Sequence, residues 1–211
     1  MTKVKICGIT NVDDARVATD AGADMLGLNF YRPSPRYITL DAARELVNFL
    51  KARNSPVEIV GVFVNETIES VIDTAVVTGL DAVQLHGDEP PSFCEEINTR
   101  DGLRVIKALR ATEQFVPHDA QQYLTYAIML DAFHRTLRGG TGQTVDFEVA
   151  RETRRLVPRL FLSGGLSAEN VAEAIHQVEP YAVDACSLLE SSPGKKDAAR
   201  VRAFVAAVRN G

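Results

Sequence analysis

The sequence predicts an α/β protein built on parallel strands, and three observations predict it. Eight short runs rich in β-branched and apolar residues recur along the 211 residues. Amphipathic segments with an apolar residue every three or four positions lie between them, as in helices that cover a sheet. The runs themselves are almost wholly apolar, the pattern of strands buried on both faces. Strands alternating with helices pair in parallel through right-handed crossovers. Eight such units close into a compact, single-domain (β/α)8 (TIM) barrel over residues 1–211, smaller than the roughly 250 residues usual for that architecture. A doubly wound open sheet is the competing arrangement, but no G-x-G-x-x-G follows the first strand. No linker, low-complexity tract or block of charge marks a second domain.

The first strand is read at VKIC, residues 4–7, where Val4 and Ile6 alternate with Lys5 before Gly8 and Thr10 break the run. The others follow at MLGLNF (25–30), EIVGVFV (58–64), DAVQLH (81–86), RVIKAL (104–109), YAIMLD (126–131), RLFLS (159–163) and YAVDAC (181–186). Helical periodicity is plain in LDAARELVNFLKAR (40–53) and TIESVIDTAVVTG (67–79). The fifth connection, RATEQFVPHDAQQY (110–123), is the weakest helix, because Pro117 interrupts it.

Composition narrows the function classes. With 45% apolar residues the chain has material for a buried core, and a net charge of -5 provides no basic field for a phosphate backbone, so nucleic acid is not an expected partner. The cysteines at 7, 94 and 186 are odd in number and form no CxxC or Cys/His cluster, which points to a reducing cytoplasm and to no metal site. No apolar run approaches the roughly 20 residues that span a bilayer, and no membrane role is expected.

In a barrel of this class reactive groups sit where strands end and βα loops begin. Cys7, Asn29, His86, Lys107, Asp131 and Asp184 stand at or near such ends. A buried cysteine is commonly a small apolar filler. A strand terminus facing the mouth is a poor place for filler, so Cys7 is a candidate for chemistry. Asp131 is a candidate acid, metal ligand or structural acceptor, and the absence of a second carboxylate beside it makes metal the weakest of the three. His86 is either a base near neutrality or a ring fixed by a backbone carbonyl; with Asp184 it is assigned to substrate binding.

LFLSGGLSAENV, residues 160–171, runs from a strand through Gly164 and Gly165 to a helix that Ser167 is expected to cap. N–H groups left over at such a start make an anion site, and otherwise the stretch is a tight turn. Phosphate sites in these barrels are commonly built from the seventh and eighth loops together, and Ser187 and Leu188 follow the eighth strand. A phosphorylated small molecule is therefore the expected ligand. In FYRPSPRYI (30–38) two prolines stiffen a loop from which Arg36 is free to reach the mouth, where its fork suits a carboxylate. After Asp131 a loop with Gly139, Gly140 and Gly142 is read as a lid that closes over ligand.

Together KICGIT, FYRPSPRYI, GVFVN, VQLHGDE, LDAF, GGTGQT, FLSGGL and ESSPGKKD resemble the phosphoribosylanthranilate isomerase family of tryptophan biosynthesis, in order and from first strand to last helix. The resemblance implies an Amadori rearrangement of N-(5-phosphoribosyl)anthranilate without cofactor or metal, in a cytoplasmic monomer or homodimer. It places the family's cysteine base on Cys7, its aspartic general acid on Asp131, its anthranilate-binding arginine on Arg36, and its phosphate loops on Gly164, Gly165 and the segment around Ser187. A related phosphosugar isomerase or synthase would share the phosphate loops without needing both Cys7 and Arg36. A non-catalytic phosphate-binding paralogue would lose the acid or the base.

The family's eighth loop generally reads SSGVE where this chain has CSLLE, so Cys186 and Leu188 replace a serine and the glycine. Leu188 is expected at negative φ with its side chain buried, leaving its N–H to phosphate. Two groups suffice for the reaction, an acid at the furanose oxygen and a base at C2. A free thiol near pKa ~8.5 is only a few per cent ionised at neutrality, so a positive charge or donor must favour the thiolate. The sequence does not show which group supplies it; Lys107 and Arg36 are candidates.

Overall fold

The computed structural model describes residues 1–100, 102–131 and 147–211. Its strands are β1 (Lys3–Cys7), β2 (Met25–Asn29), β3 (Glu58–Phe63), β4 (Ala82–Leu85), β5 (Arg104–Arg110), β6 (Ala127–Asp131), β7 (Leu160–Ser163) and β8 (Ala182–Ala185). Each pairs in parallel with the next, and β8 pairs back onto β1, so the sheet closes into an eight-stranded barrel and the open-sheet alternative falls. All eight apolar runs are strands because each is buried from both sides, by the barrel interior and by the surrounding helices.

The helices are α1 (Val12–Asp20), α2 (Leu40–Ala52), α3 (Ile68–Thr78), α4 (Pro91–Asn98), α5 (Phe147–Leu156), α6 (Val171–Val178) and α7 (Ala198–Asn210). Thr39 caps α2 and Thr67 caps α3, each through a side-chain oxygen that accepts an N–H three residues on. Between β5 and β6 the described chain has a 3-10 turn at Pro117–Gln122, with the proline at its start, where its missing N–H costs nothing. A small hairpin, β9 (Glu190–Ser192) and β10 (Lys195–Lys196), is inserted between β8 and α7. Among the described residues no helix is long and apolar enough to cross a membrane.

The helix starts later than expected, although the Ser167 hydroxyl accepts the Glu169 N–H at 3.3 Å as a cap would. Helix α6 begins at Val171 with Asn170 in the cap position, and residues 168–170 form a turn before it. The Asn170 carboxamide accepts the Ser167 N–H (2.8 Å) and donates to the Gly165 carbonyl (2.9 Å), so it braces the glycine loop and delays the helix. Asparagine competes in this way with helical backbone bonds.

The period of two along each strand sorts side chains into two cores. Val4, Ile6, Leu26, Leu28, Val83, Val105 and Leu130 face outward and pack under the helices. Met25, Val60, Ala82, Ile106, Ala127, Met129, Phe161 and Ala182 fill the barrel interior. Two steps further along the same inward rows, the strands deliver polar groups to the carboxyl-terminal mouth. From Ala182 the row runs to Asp184 and Cys186, from Met129 to Asp131, and from Phe161 to Ser163.

Candidate active site at the barrel mouth

A cavity of about 600 Å³ opens at this mouth, lined by Cys7, Asn29, Arg36, Gln84, His86, Asp131, the Ser163–Gly165 turn, Asp184 and residues 185–188 among others. The predicted base, acid, arginine, histidine and both loop segments therefore share one cavity. The predicted lid glycines Gly139, Gly140 and Gly142 lie outside the described residues.

Cys7 ends β1 with its thiol buried, and Gly27 on β2 makes room for it. A Cβ on Gly27 would stand 2.7 Å from the Cys7 sulfur and 3.1 Å from Lys5 Nζ, so any larger residue would displace the thiol or the ammonium beneath it. The thiol is pulled down to about 6. A hydrogen bond from the Cys186 thiol is the main cause; burial opposes it, Lys5 favours the thiolate, Asp184 disfavours it and Lys196 favours it again. Cys186, having donated to Cys7, is itself held well above the ordinary thiol value.

Lys5 is fully buried in the barrel, two residues before Cys7 on the same inward row, and its Nζ donates to Asp184 Oδ1 at 2.7 Å. Burial alone would lower the lysine, but Asp184 and the Cys7 sulfur outweigh it and its pKa is raised, so it stays charged. Asp184 Oδ2 also accepts from the Ser163 hydroxyl at 3.1 Å. The Asp184 carboxylate thus links β1, β7 and β8 below the mouth, with both oxygens engaged.

Of the two candidate sources of positive charge Lys107 is corrected, while Arg36 stands close enough to the Cys7 sulfur for the two charges to favour each other. Lys107 faces outward on β5, on the side of Val105, and its Nζ donates to Glu89 Oε2 (2.7 Å) and the Gly87 carbonyl (2.7 Å). It anchors the loop after β4. Arg36 is not free, since its Nε and Nη2 donate to the two oxygens of buried Glu190 at 2.8 and 2.6 Å. The fork is held because a buried carboxylate needs such a partner. Of the five N–H donors of a guanidinium, Glu190 takes two, which leaves the outer Nη1/Nη2 edge for a second carboxylate. Lys196 completes the cluster: its Nζ donates to Glu190 Oε1 (3.0 Å) and to the Cys186 carbonyl (3.1 Å), 3.8 Å from the Cys186 sulfur.

Across the mouth, Asp131 ends β6 half-buried, with Oδ2 3.7 Å from His86 Nε2. The Gln84 amide nitrogen lies 2.7 Å from His86 Nδ1, so the ring is fixed by a side chain rather than by a backbone carbonyl. Gly164 and Gly165 both take positive φ, 102° and 65°, which turns the loop after β7 sharply at the cavity edge. Opposite them Ser187, Leu188 and Leu189 form a single 3-10 turn, whose leading N–H groups have no carbonyl within the turn to meet. Leu188 is not among the positive-φ residues, as expected. Its side chain is 46% exposed, however, against the burial expected of it; Leu189 takes the core position instead, at 1%. In one 3-10 turn successive side chains point about 120° apart, so only one of the two leucines can face the core.

Sequence reasoning passed over Lys5, Gly27, Glu190 and Lys196. The signal for Lys5 was present: a lysine between Val4 and Ile6, two residues before Cys7, shares the inward row of the thiol.

Comparison with known proteins identifies the family. The family model described as N-(5'phosphoribosyl)anthranilate (PRA) isomerase matches residues 4–207. A curated N-(5'-phosphoribosyl)anthranilate isomerase of Trichlorobacter lovleyi is 45% identical over 97% of this chain and 97% of its own length. The crystal structure of phosphoribosyl anthranilate isomerase from Thermotoga maritima superposes with a TM-score of 0.88 at 39% identity, covering 100% of both chains. A structure of such an isomerase in complex with reduced 1-(o-carboxyphenylamino)-1-deoxyribulose 5-phosphate does so at 0.85 and 38%, again over 100% of each chain. With the match spanning the barrel from β1 into α7, the chain belongs to the N-(5'-phosphoribosyl)anthranilate isomerase family.

Proposed function

We propose that this protein catalyses the Amadori rearrangement of N-(5-phosphoribosyl)anthranilate to 1-(2-carboxyphenylamino)-1-deoxyribulose 5-phosphate, in the cytoplasm and as a step of tryptophan biosynthesis. The observation that carries it is that the Cys7 thiol, with Lys5 and Lys196 favouring its thiolate, and the Asp131 carboxyl group line one cavity. Asp131 protonates the furanose ring oxygen, the ring opens to a Schiff base, Cys7 thiolate takes the C2 proton, and the enolamine ketonises. A base whose pKa lies just below neutrality is mostly in its active form at pH 7 and still basic enough to accept a proton.

The outer edge of Arg36 receives the anthranilate carboxylate, with Glu190 fixing the plane of the fork from behind. The phosphate lies between Gly164–Gly165 and the turn at Ser187–Leu188, held by backbone N–H groups. His86 and Asp184 line the space between and orient the ribose. Nothing in this scheme is contributed by another subunit, so it operates alike in a monomer or a homodimer. Turnover is followed by the loss of anthranilate fluorescence from freshly prepared phosphoribosylanthranilate. Turnover that disappears in Asp131→Asn supports the assignment; no turnover by the unaltered protein contradicts it.

A further inference from the structure

We propose that Cys7 and Cys186 form a thiol modification site, in which a hydroperoxide joins the two sulfurs as a disulfide between the ends of β1 and β8 and so removes the base from the reaction. The loss of activity rests on the role given to Cys7 above; the bond itself does not.

Strand register brings the two residues together. Ile6 on β1 is the partner of Ala185 on β8, and Cys7 and Cys186 are each the next residue. Neighbours at matching positions of paired strands lie about 5 Å apart at Cα, inside the range of about 4.4–6.8 Å that a disulfide spans. Both side chains line the same cavity, so the two sulfurs share one space at the barrel mouth. A Cβ on Gly8, the residue after Cys7, would stand 2.9 Å from the Cys186 sulfur; its absence leaves that side chain room to turn.

The chemistry needs one nucleophilic thiolate reachable from solvent and one resolving thiol beside it. Cys7 sits at the open mouth beside Lys5 and Lys196, the electropositive setting that favours thiolate. Its sulfur attacks the peroxide oxygen, the O–O bond breaks, and the departing oxygen takes a proton and leaves as alcohol or water, giving a sulfenic acid. The Cys186 sulfur then attacks the Cys7 sulfur, the S–S bond forms, the S–O bond breaks, and hydroxide leaves with the thiol proton as water. Two thiols are oxidised by two electrons and one hydroperoxide is reduced. A dithiol reverses the reaction. Cys94 takes no part, being fully buried under α4 away from the mouth.

The test treats the reduced protein with a slight excess of hydrogen peroxide, then divides it between peptide mapping without reductant and the turnover assay before and after dithiothreitol. A cross-linked peptide joining Cys7 to Cys186, with Cys94 free, is expected, together with at least a tenfold loss of turnover that dithiothreitol reverses. In Cys186→Ser the cross-link is impossible and Cys7 stops at a sulfenic acid, which a second equivalent of peroxide carries to sulfinic acid that dithiothreitol does not reverse. Loss of turnover in the unaltered protein without a peptide joining Cys7 to Cys186 would overturn the pairing. So would Cys7 found free or as sulfinate in the unaltered protein. A cross-linked protein that keeps full turnover would uphold the modification site and overturn the role of Cys7 as base.

Discussion

Cys7 and Cys94 are both buried, 8% and 0% exposed, yet their thiols depart from the ordinary value in opposite directions. Cys7 is lowered to about 6 and Cys94 raised to about 11. Burial raises both. For Cys94 it is the leading cause, and the pull of Lys107 is countered by Glu89, with which that lysine is paired at 2.7 Å. For Cys7 the leading cause is a thiol hydrogen bond from Cys186, and two cations, Lys5 and Lys196, stand against the single carboxylate of Asp184. Burial therefore does not decide whether a thiol is inert. What decides is whether donors and uncompensated positive charge face the sulfur.

The contrast can be broken most forcefully at the sulfurs. Cys7→Ser substitutes a hydroxyl that is hardly ionised near neutrality, so kcat/KM is expected to fall by roughly a hundredfold to ten-thousandfold while a product analogue still binds. Turnover near the unaltered rate would mean that another group takes the C2 proton. Removing the cation on the other side has its effect in stability instead. Lys107→Met leaves Glu89 buried without its charge partner and should cost about 3–5 kcal/mol, read as a lower urea midpoint.

Lys5→Met tests the electrostatic half of the comparison. A base acts only when deprotonated, so kcat/KM in the unaltered protein rises with pH through about 6 and then levels. Without the Lys5 charge the thiol pKa moves up, the rising limb moves to higher pH, and turnover below that limb falls about tenfold per unit of displacement. A limb that stays in place would remove Lys5 from the list of causes. The smallest effect is expected for Cys94→Ala, with stability reduced by about 1 kcal/mol and turnover unchanged.

The barrel was legible because its signals are local and repeated: eight apolar runs, each bounded by turn residues, with amphipathic segments between them. The placing of Cys7 and Asp131 at the mouth was legible for the same reason, since both stand at strand ends that periodicity locates, whereas the roles of base and acid came from the family resemblance. The charge partners were not legible. Glu190 lies 154 positions from Arg36, and Asp184 lies 179 from Lys5. Only closure of β8 onto β1 brings them together, and strand count fixes closure without fixing which polar groups meet. Leu188 and Leu189 failed differently: composition marked both as core-seeking, whereas the geometry of one 3-10 turn admits a single inward side chain.

The most direct measurement is the rate of alkylation of each cysteine by iodoacetamide as a function of pH, with the native protein digested and the labelled peptides counted. Thiolate is the reacting form, so each rate follows ionisation. The Cys7 rate is expected to rise with a midpoint near pH 6 and to be flat above it, while Cys94 stays unlabelled until the pH approaches 11. A Cys7 midpoint at or above the ordinary thiol value, or labelling of the two cysteines in parallel, would contradict the claim that the barrel mouth makes a thiolate.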